Sequence, residues 1–214
     1  MEYLKRLVFF KLAVIYLRYL IGFAFMFASL VKIQGDRFTI ISVDQPVGYF
    51  FEAMYQTGLY WNFLGWGQFI AGTLLMTQRF ATIGVMIFLP IMLNVFMITH
   101  AIDFGPGTPI ITTLMLLATI FLLVWDYKKW IFLFQPDHLI KVDLTQTPKD
   151  HFMTDPIWVY TGITFIAITL FQRLTPFFRY DVWMILMVVT GVCAFILKIV
   201  KDRVQQRRVA PAKL

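Results

Sequence analysis

The chain has 214 residues, 59% of them hydrophobic, with a mean hydropathy of +0.73. A water-soluble domain holds about 45–50% apolar residues. The excess here is gathered into long runs, which excludes a soluble globule and marks a multi-pass membrane protein. The net charge of +7 does not indicate a nucleic-acid binder, because the Lys and Arg residues sit between apolar segments and at the C-terminal end, where membrane topology accounts for them.

The N-terminal MEYLKRLVFFKLAVIYLRYL places Lys5 and Arg6 before an apolar run that continues past Leu30 with no small-x-small cleavage site. It reads as an uncleaved first span. An all-α polytopic bundle of six transmembrane helices is expected, over residues 10–32, 61–78, 80–100, 109–127, 157–174 and 181–200, each near the ~20 residues a crossing needs. With the N-terminus in the cytoplasm, the outer side carries only Lys32, Arg37, Arg173 and Arg179. The positive-inside rule then puts both termini in the cytoplasm.

In the first span Arg18, Gly22, Phe25, Ser29 and Lys32 recur at alternating four- and three-residue spacing, which keeps them in one stripe. Such a stripe faces the bundle interior, with Gly22 and Ser29 allowing close helix approach. Arg18 lies about 10 Å past Lys11 at 1.5 Å per residue. A guanidinium there either snorkels or finds a partner. Lys32 sits at the outer edge, as an interfacial anchor or a paired charge.

The outer connection contains an expected short helix, with Asp44 as cap, Pro46 in its first turn and Gly58 at its end. Its apolar face reads as Tyr49, Phe50, Ala53, Met54 and Thr57, with Glu52 and Gln56 off it. The segment would lie at the outer interface or fold over the bundle mouth, with Tyr55, Tyr60, Trp61 and Trp66 in the aromatic belt.

The second span sets Asn62, Gly65, Gln68 and Gly72 on one face, and Arg79 marks a tight turn into the third. The third carries Asn94, a possible kink at Pro90, and His100 followed one turn later by Asp103. Pro106, Pro109, Gly105 and Gly107 break the chain before the fourth, which aligns Thr112, Thr119 and Asp126. Asp126 is the candidate partner of Arg18, and Asp103 or Glu52 of Lys32. His100 and Asp103 suit packing, or hydrogen bonding to a proton path or a quinone. Two ligands fall short of the three or four a metal needs, so no metal site is expected. His138 and His151 fall on the other side of the membrane from His100, which excludes a bis-histidine haem within one chain. Cys193 stands alone mid-span, so an internal disulfide and a C-x-x-C pair are excluded.

The organisation expected is a four-helix unit over 1–127, a cytoplasmic connection over 128–156 in which IKVDLTQ alternates like a short strand, a transmembrane hairpin over 157–200, and a basic tail over 201–214. The tail fixes topology and contacts anionic lipid heads.

The run R-Y-L-I-G-F-A-F-M-F-A-S-L-V-K, carried by Arg18, Gly22, Phe25, Ser29 and Lys32, resembles the opening helix of the DoxX-like integral membrane family. The likeness continues through GWGQFIAGTLLMTQRF, ending at Arg79, and covers about residues 10–127. The chain departs from it by its C-terminal hairpin and by lacking the cysteines of thiol-dependent relatives. The resemblance implies a bacterial cytoplasmic (inner) membrane. It also implies a non-catalytic or quinone-docking subunit of a redox complex, with electrons supplied by a partner protein. A quinone would dock through Arg18, Gln68, Asn94 or His100. Two alternatives stand beside it: a structural or assembly partner in a membrane complex, and a transporter whose Arg18 and Lys32 favour a small anion or metabolite. No motif declares a catalytic residue, and no covalently bound cofactor is expected.

Overall fold

The computed structural model describes residues 2–131, 150–175 and 180–209. The IKVDLTQ segment, His138, Arg179 and the last five tail residues lie outside them. All regular structure among the described residues is helical: α1 (Glu2–Arg6), α2 (Val8–Ile33), α3 (Pro46–Gln56), α4 (Leu59–Met76), α5 (Ala81–Ala101), α6 (Gly107–Trp125), α7 (Tyr127–Trp130), α8 (Pro156–Leu174) and α9 (Tyr180–Val209). Five of these are long and apolar enough to cross a membrane, namely α2, α5, α6, α8 and α9. The 18-residue α4 is not among the five, its apolarity diluted by Asn62, Gln68 and three glycines. The protein is thus a polytopic helical membrane protein.

The first long helix is the axis of the bundle. α2 packs against α4, α6 and α8, and two apolar clusters flank it. Val14, Ile21 and Phe25 face a core completed by Ala71, Leu75, Val85, Phe88, Met92 and Leu122. Ile15, Tyr19 and Met26 face a second core with Met76, Trp158, Phe165 and Ala194. These sets repeat at helical spacing on two sides of α2. A helix buried on both sides leaves little room for a charge to escape.

Close crossings are set by glycine. A Cβ on Gly22 would lie 2.6 Å from the Gly72 carbonyl oxygen, and one on Gly72 would lie 2.6 Å from that of Gly22. Together with Gly65 against the Lys32 Cβ, this makes α4 run antiparallel to α2 at near-backbone contact. Gly84 lets α5 approach Ala71 and Leu75 in the same way, and Gly162 brings α8 onto the Met76 carbonyl.

α4 and α5 are joined by a tight turn in which Gln78 takes a left-handed φ of 58°. Pro156 opens α8, where the Asp155 side chain accepts from the Ile157 amide at 3.1 Å, an N-cap that satisfies one otherwise unpaired donor. The bundle has a proximal end, where α2 begins, and a distal end, where α2 finishes.

At the distal end α3 differs from its expected form. Its N-cap is Gln45, with no side-chain cap, because Asp44 instead accepts from the Ser42 hydroxyl at 2.8 Å. The covered side of α3 runs through Val47 and Gly48, while Tyr49, Ala53 and Thr57 are exposed. Its inward face is fixed by Gly48, which seats the helix against the Ile41 and Ser42 carbonyls, and by Phe51, packed between Phe38 and Phe104. Trp61 is also displaced from the expected aromatic belt. It is 1% exposed and donates its indole N–H to the Asp36 carbonyl at 3.2 Å, whereas Tyr60 and Trp66 remain exposed.

Candidate functional site

The stripe on α2 turns inward, and its proximal half is built around Arg18, which is 2% exposed. One terminal nitrogen of Arg18 donates to Asp126 Oδ2 at 2.6 Å, and the other donates to Gln78 Oε1 at 3.2 Å. The Gln78 amide is oriented in turn by donating to the Ile15 carbonyl at 3.2 Å. Asp126 Oδ2 also accepts from the Thr82 hydroxyl at 3.0 Å, and Oδ1 accepts from Lys129 Nζ at 2.8 Å. Arg18 Nε is buried without a partner among the described residues.

The network therefore ties α2, the α4–α5 turn, α5 and the α6–α7 junction at one point. Asp126 sits just past α6 and is 4% exposed at its side chain. Arg18, Lys129 and Thr82 together fill both oxygens of the buried carboxylate. Of the residues in the network, Gln78, Thr82 and Lys129 were not singled out by sequence. Gln78 adjoins Arg79, the residue that marks the turn. Its left-handed backbone is what aims its side chain back under Arg18, and no composition signal carries that.

The distal half of the stripe is built differently. Lys32 is 4% exposed, which rules out a solvent-facing anchor. Its ammonium donates to the Ala28 carbonyl at 3.1 Å and lies 4.3 Å from the Phe38 ring centre and 5.2 Å from that of Trp61. Neither expected acid reaches it. Glu52 instead takes Arg37 in two bonds of 2.8 and 3.0 Å, and Asp103 accepts from the Gly105 amide. Two aromatic faces supply the negative potential a carboxylate would have supplied. Ser29, between the two charges, is fully buried and donates to the Met26 carbonyl.

The remaining polar candidates do not gather around Arg18. Asn94 is exposed and returns its amide to the Pro90 carbonyl one turn back at 2.9 Å. His100 is exposed at the distal end of α5, its Nδ1 2.8 Å from the Phe96 carbonyl and its Nε2 3.2 Å from the Thr113 hydroxyl. Gln68 is buried between the Gly65 and Gly72 crossings, with its Oε1 lacking a partner among the described residues. Thr112 and Thr119 line the inward side of α6, Thr112 meeting Thr99 at 2.8 Å. Among the described residues no group of three His, Cys, Asp or Glu side chains is placed to hold a metal. A cleft of about 200 Å³ opens at the distal end between residues 37–43 and α3. None of the stripe residues lines it.

A second ionic cluster closes the proximal end. Lys198, 3% exposed on α9, lies 3.3 Å from Asp155 and 2.5 Å from Asp202, and Lys201 reaches Asp155 at 2.8 Å. Lys11 on α2 pairs with Asp150 at 2.8 Å. The start of the basic tail is thus a helical extension of α9 that clamps the start of α8.

Compared with known proteins, no family model matches the chain, and no solved structure matches it. Over 79 residues it is 30% identical to the uncharacterized protein YwoB of Bacillus subtilis (strain 168), covering 37% of this chain and 50% of that one. The chain therefore spans about half the length of this curated relative.

Proposed function

We propose that the chain is a non-catalytic component of a membrane complex, a structural or assembly subunit, whose intramembrane charges hold its own bundle together. The observation that carries this reading is the Arg18–Asp126 pair. The carboxylate is filled by Arg18, Thr82 and Lys129, and the guanidinium's terminal nitrogens are occupied by Asp126 and Gln78. Charges in lipid must be paired, and these are paired within the chain.

The quinone-docking form of the redox reading needs donors that converge on one apolar slot. Arg18, Gln68, Asn94 and His100 do not converge, since Arg18 is engaged by Asp126 and Gln78 and both Asn94 and His100 are exposed. That set does not fit a quinone, which leaves the assembly reading favoured. We further propose that α4 is the sixth span. It is long enough at 18 residues, Gln68 is buried between its two glycine crossings with α2, and those close contacts cover the backbone. A DoxX-like unit over about residues 10–127, a bacterial inner membrane and cytoplasmic termini accompany this proposal, on the Arg18-to-Lys32 pattern and the Lys/Arg distribution.

The test is purification from the native membrane in mild detergent, with wild type and Arg18→Gln analysed for co-purifying protein and for quinone by mass spectrometry. The expected result is a stoichiometric protein partner, no stoichiometric quinone, and a lower yield of folded Arg18→Gln. Stoichiometric quinone in the wild type, lost from a normally folded variant, would overturn the assembly reading.

A further inference from the structure

The distal cap presents an apolar edge that nothing among the described residues covers. Along the strap that precedes α3, Phe38 is 43% exposed, Ile40 104%, Ile41 41% and Val43 53%, and Tyr49 at the start of α3 is 68% exposed. Single exposed apolar residues are ordinary, but a contiguous set is a contact surface.

Its position says what the surface meets. The Phe38 ring centre is 4.3 Å from Lys32 Nζ, on the last turn of α2. Phe51 of α3 packs 6.0 Å from Phe104, just past the end of α5. Asp36 is held by the indole of Trp61 on the first turn of α4, and Arg173 at the end of α8 reaches Asp36 at 2.5 Å. The cap therefore lies on the helix ends themselves. Ile40 is two residues from Phe38, at most about 7 Å of extended chain. The headgroup layer on each side of the hydrocarbon is about 5–8 Å thick. Ile40 and Ile41 therefore reach no farther from the helix ends than the headgroup layer. Of the charges around the strap, Arg37 and Glu52 neutralise each other through their two bonds and Arg173 matches Asp36, while Asp44, exposed and accepting from the Ser42 hydroxyl, marks the end of the apolar edge. A tyrosine at the edge suits the same layer.

We propose that residues 38–43, flanked by Tyr49, form a shallow wedge inserted into the phospholipid leaflet at the distal end of the bundle. The strap has no regular structure, and irregular backbone exposed to lipid is excluded from the hydrocarbon interior. The insertion therefore stops at the headgroup boundary. Gly48 makes the geometry possible: α3 lies so close under the strap that a Cβ there would sit 2.0 Å from the Ser42 carbonyl oxygen. The inference rests on the reading of the chain as membrane-spanning.

The test is site-directed spin labelling of the full chain in vesicles of phosphatidylethanolamine and phosphatidylglycerol. Labels go on the exposed native Cys193 within α9 and, in a Cys193→Ala background, on Ile40→Cys, Ile41→Cys or the exposed Gln56→Cys. Collision with oxygen and with a water-soluble nickel chelate reports depth. The label at 193 is expected deep, that at 56 aqueous, and those at 40 and 41 between them, with the nickel complex excluded several-fold relative to position 56. Nickel access at 40 and 41 equal to that at 56 would overturn the wedge. So would dipolar broadening between labels, which would assign the surface to a second copy, or exclusion of both reagents, which would assign it to a protein partner. A label at 193 that is not deep would instead overturn the spanning reading itself.

Discussion

Arg18 on the first long helix and Asp126 just past α6, far apart in sequence, meet at 2.6 Å with both side chains about 96–97% buried. The pair closes the first half of the bundle on itself. Removing one member of a buried pair strands the other charge, at a cost of about 3–5 kcal/mol. Asp126→Asn and Arg18→Gln should therefore each lower thermal stability in detergent steeply. The double variant should recover part of the loss, because it leaves no orphaned charge. Losses that simply add in a double-mutant cycle would show that the two residues are not coupled.

Glycine contacts predict a graded series. Ala at Gly162 would drive a Cβ to within 1.9 Å of the Met76 carbonyl oxygen, and at Gly22 to within 2.6 Å of that of Gly72. Both contacts are with backbone, which cannot swing aside. Each should cost about 1–3 kcal/mol or more as overpacking. Gly67→Ala is the control, since its Cβ would find its nearest neighbour, Ile91, at an ordinary 3.5 Å. Melting temperatures of the three variants, measured by scanning fluorimetry, check the order Gly67 above Gly22 above Gly162.

Lys32 predicts an outcome of the opposite sign. Its charge is buried against Phe38 and Trp61 with no carboxylate among the described residues. Lys32→Met keeps the length of the stem and removes the desolvation cost. It forfeits the cation–π attraction, about 0.5–2 kcal/mol. The expected change in stability is small or favourable. Lys32→Glu should be strongly destabilising, because it sets an anion against the negative faces of two rings. A large loss in Lys32→Met would show that the charge itself is needed at this position.

The proximal clamp predicts an acid limb. Burial would raise the Asp155 carboxyl, but Lys201, the Ile157 amide and Lys198 prevail and hold it below its ordinary value. A depressed carboxyl stabilises the fold fully above the unfolded value, about 4. That stability is lost as pH falls from there through the folded value. Asp155→Asn should keep the helix cap and lose the ion pairs, so the gap between wild type and variant should be constant from about pH 5 to 8 and close below about pH 4. Asp155→Ala should lose a further ~1 kcal/mol as the cap goes. Equilibrium unfolding across this pH range in detergent gives the comparison, and a gap that persists in acid would remove Asp155 from the titration.

Much of this molecule is determined by sequence alone. Apolar runs near 20 residues long must be helices in lipid, because only intrahelical bonds satisfy the backbone there. The alternating spacing from Arg18 to Lys32 places both charges on the buried side of α2 wherever that helix packs. The pairing of Arg18 with Asp126 was legible too, since an interior cation at that depth needs an acid and Asp126 ends a buried stripe. Other assignments depended on packing. Gln78 enters the network because the α4–α5 turn takes a left-handed backbone there. Glu52 is lost to Lys32 because Arg37 competes for it at the same level of the cap. Asn94 and His100 turn outward because α5 buries its Gly84, Val85, Phe88 and Met92 side instead. Helical period tells which residues share a face. Which face a neighbour covers, and which of several charges wins a carboxylate, is settled by contacts between segments distant in the chain, and only the tertiary structure decides those.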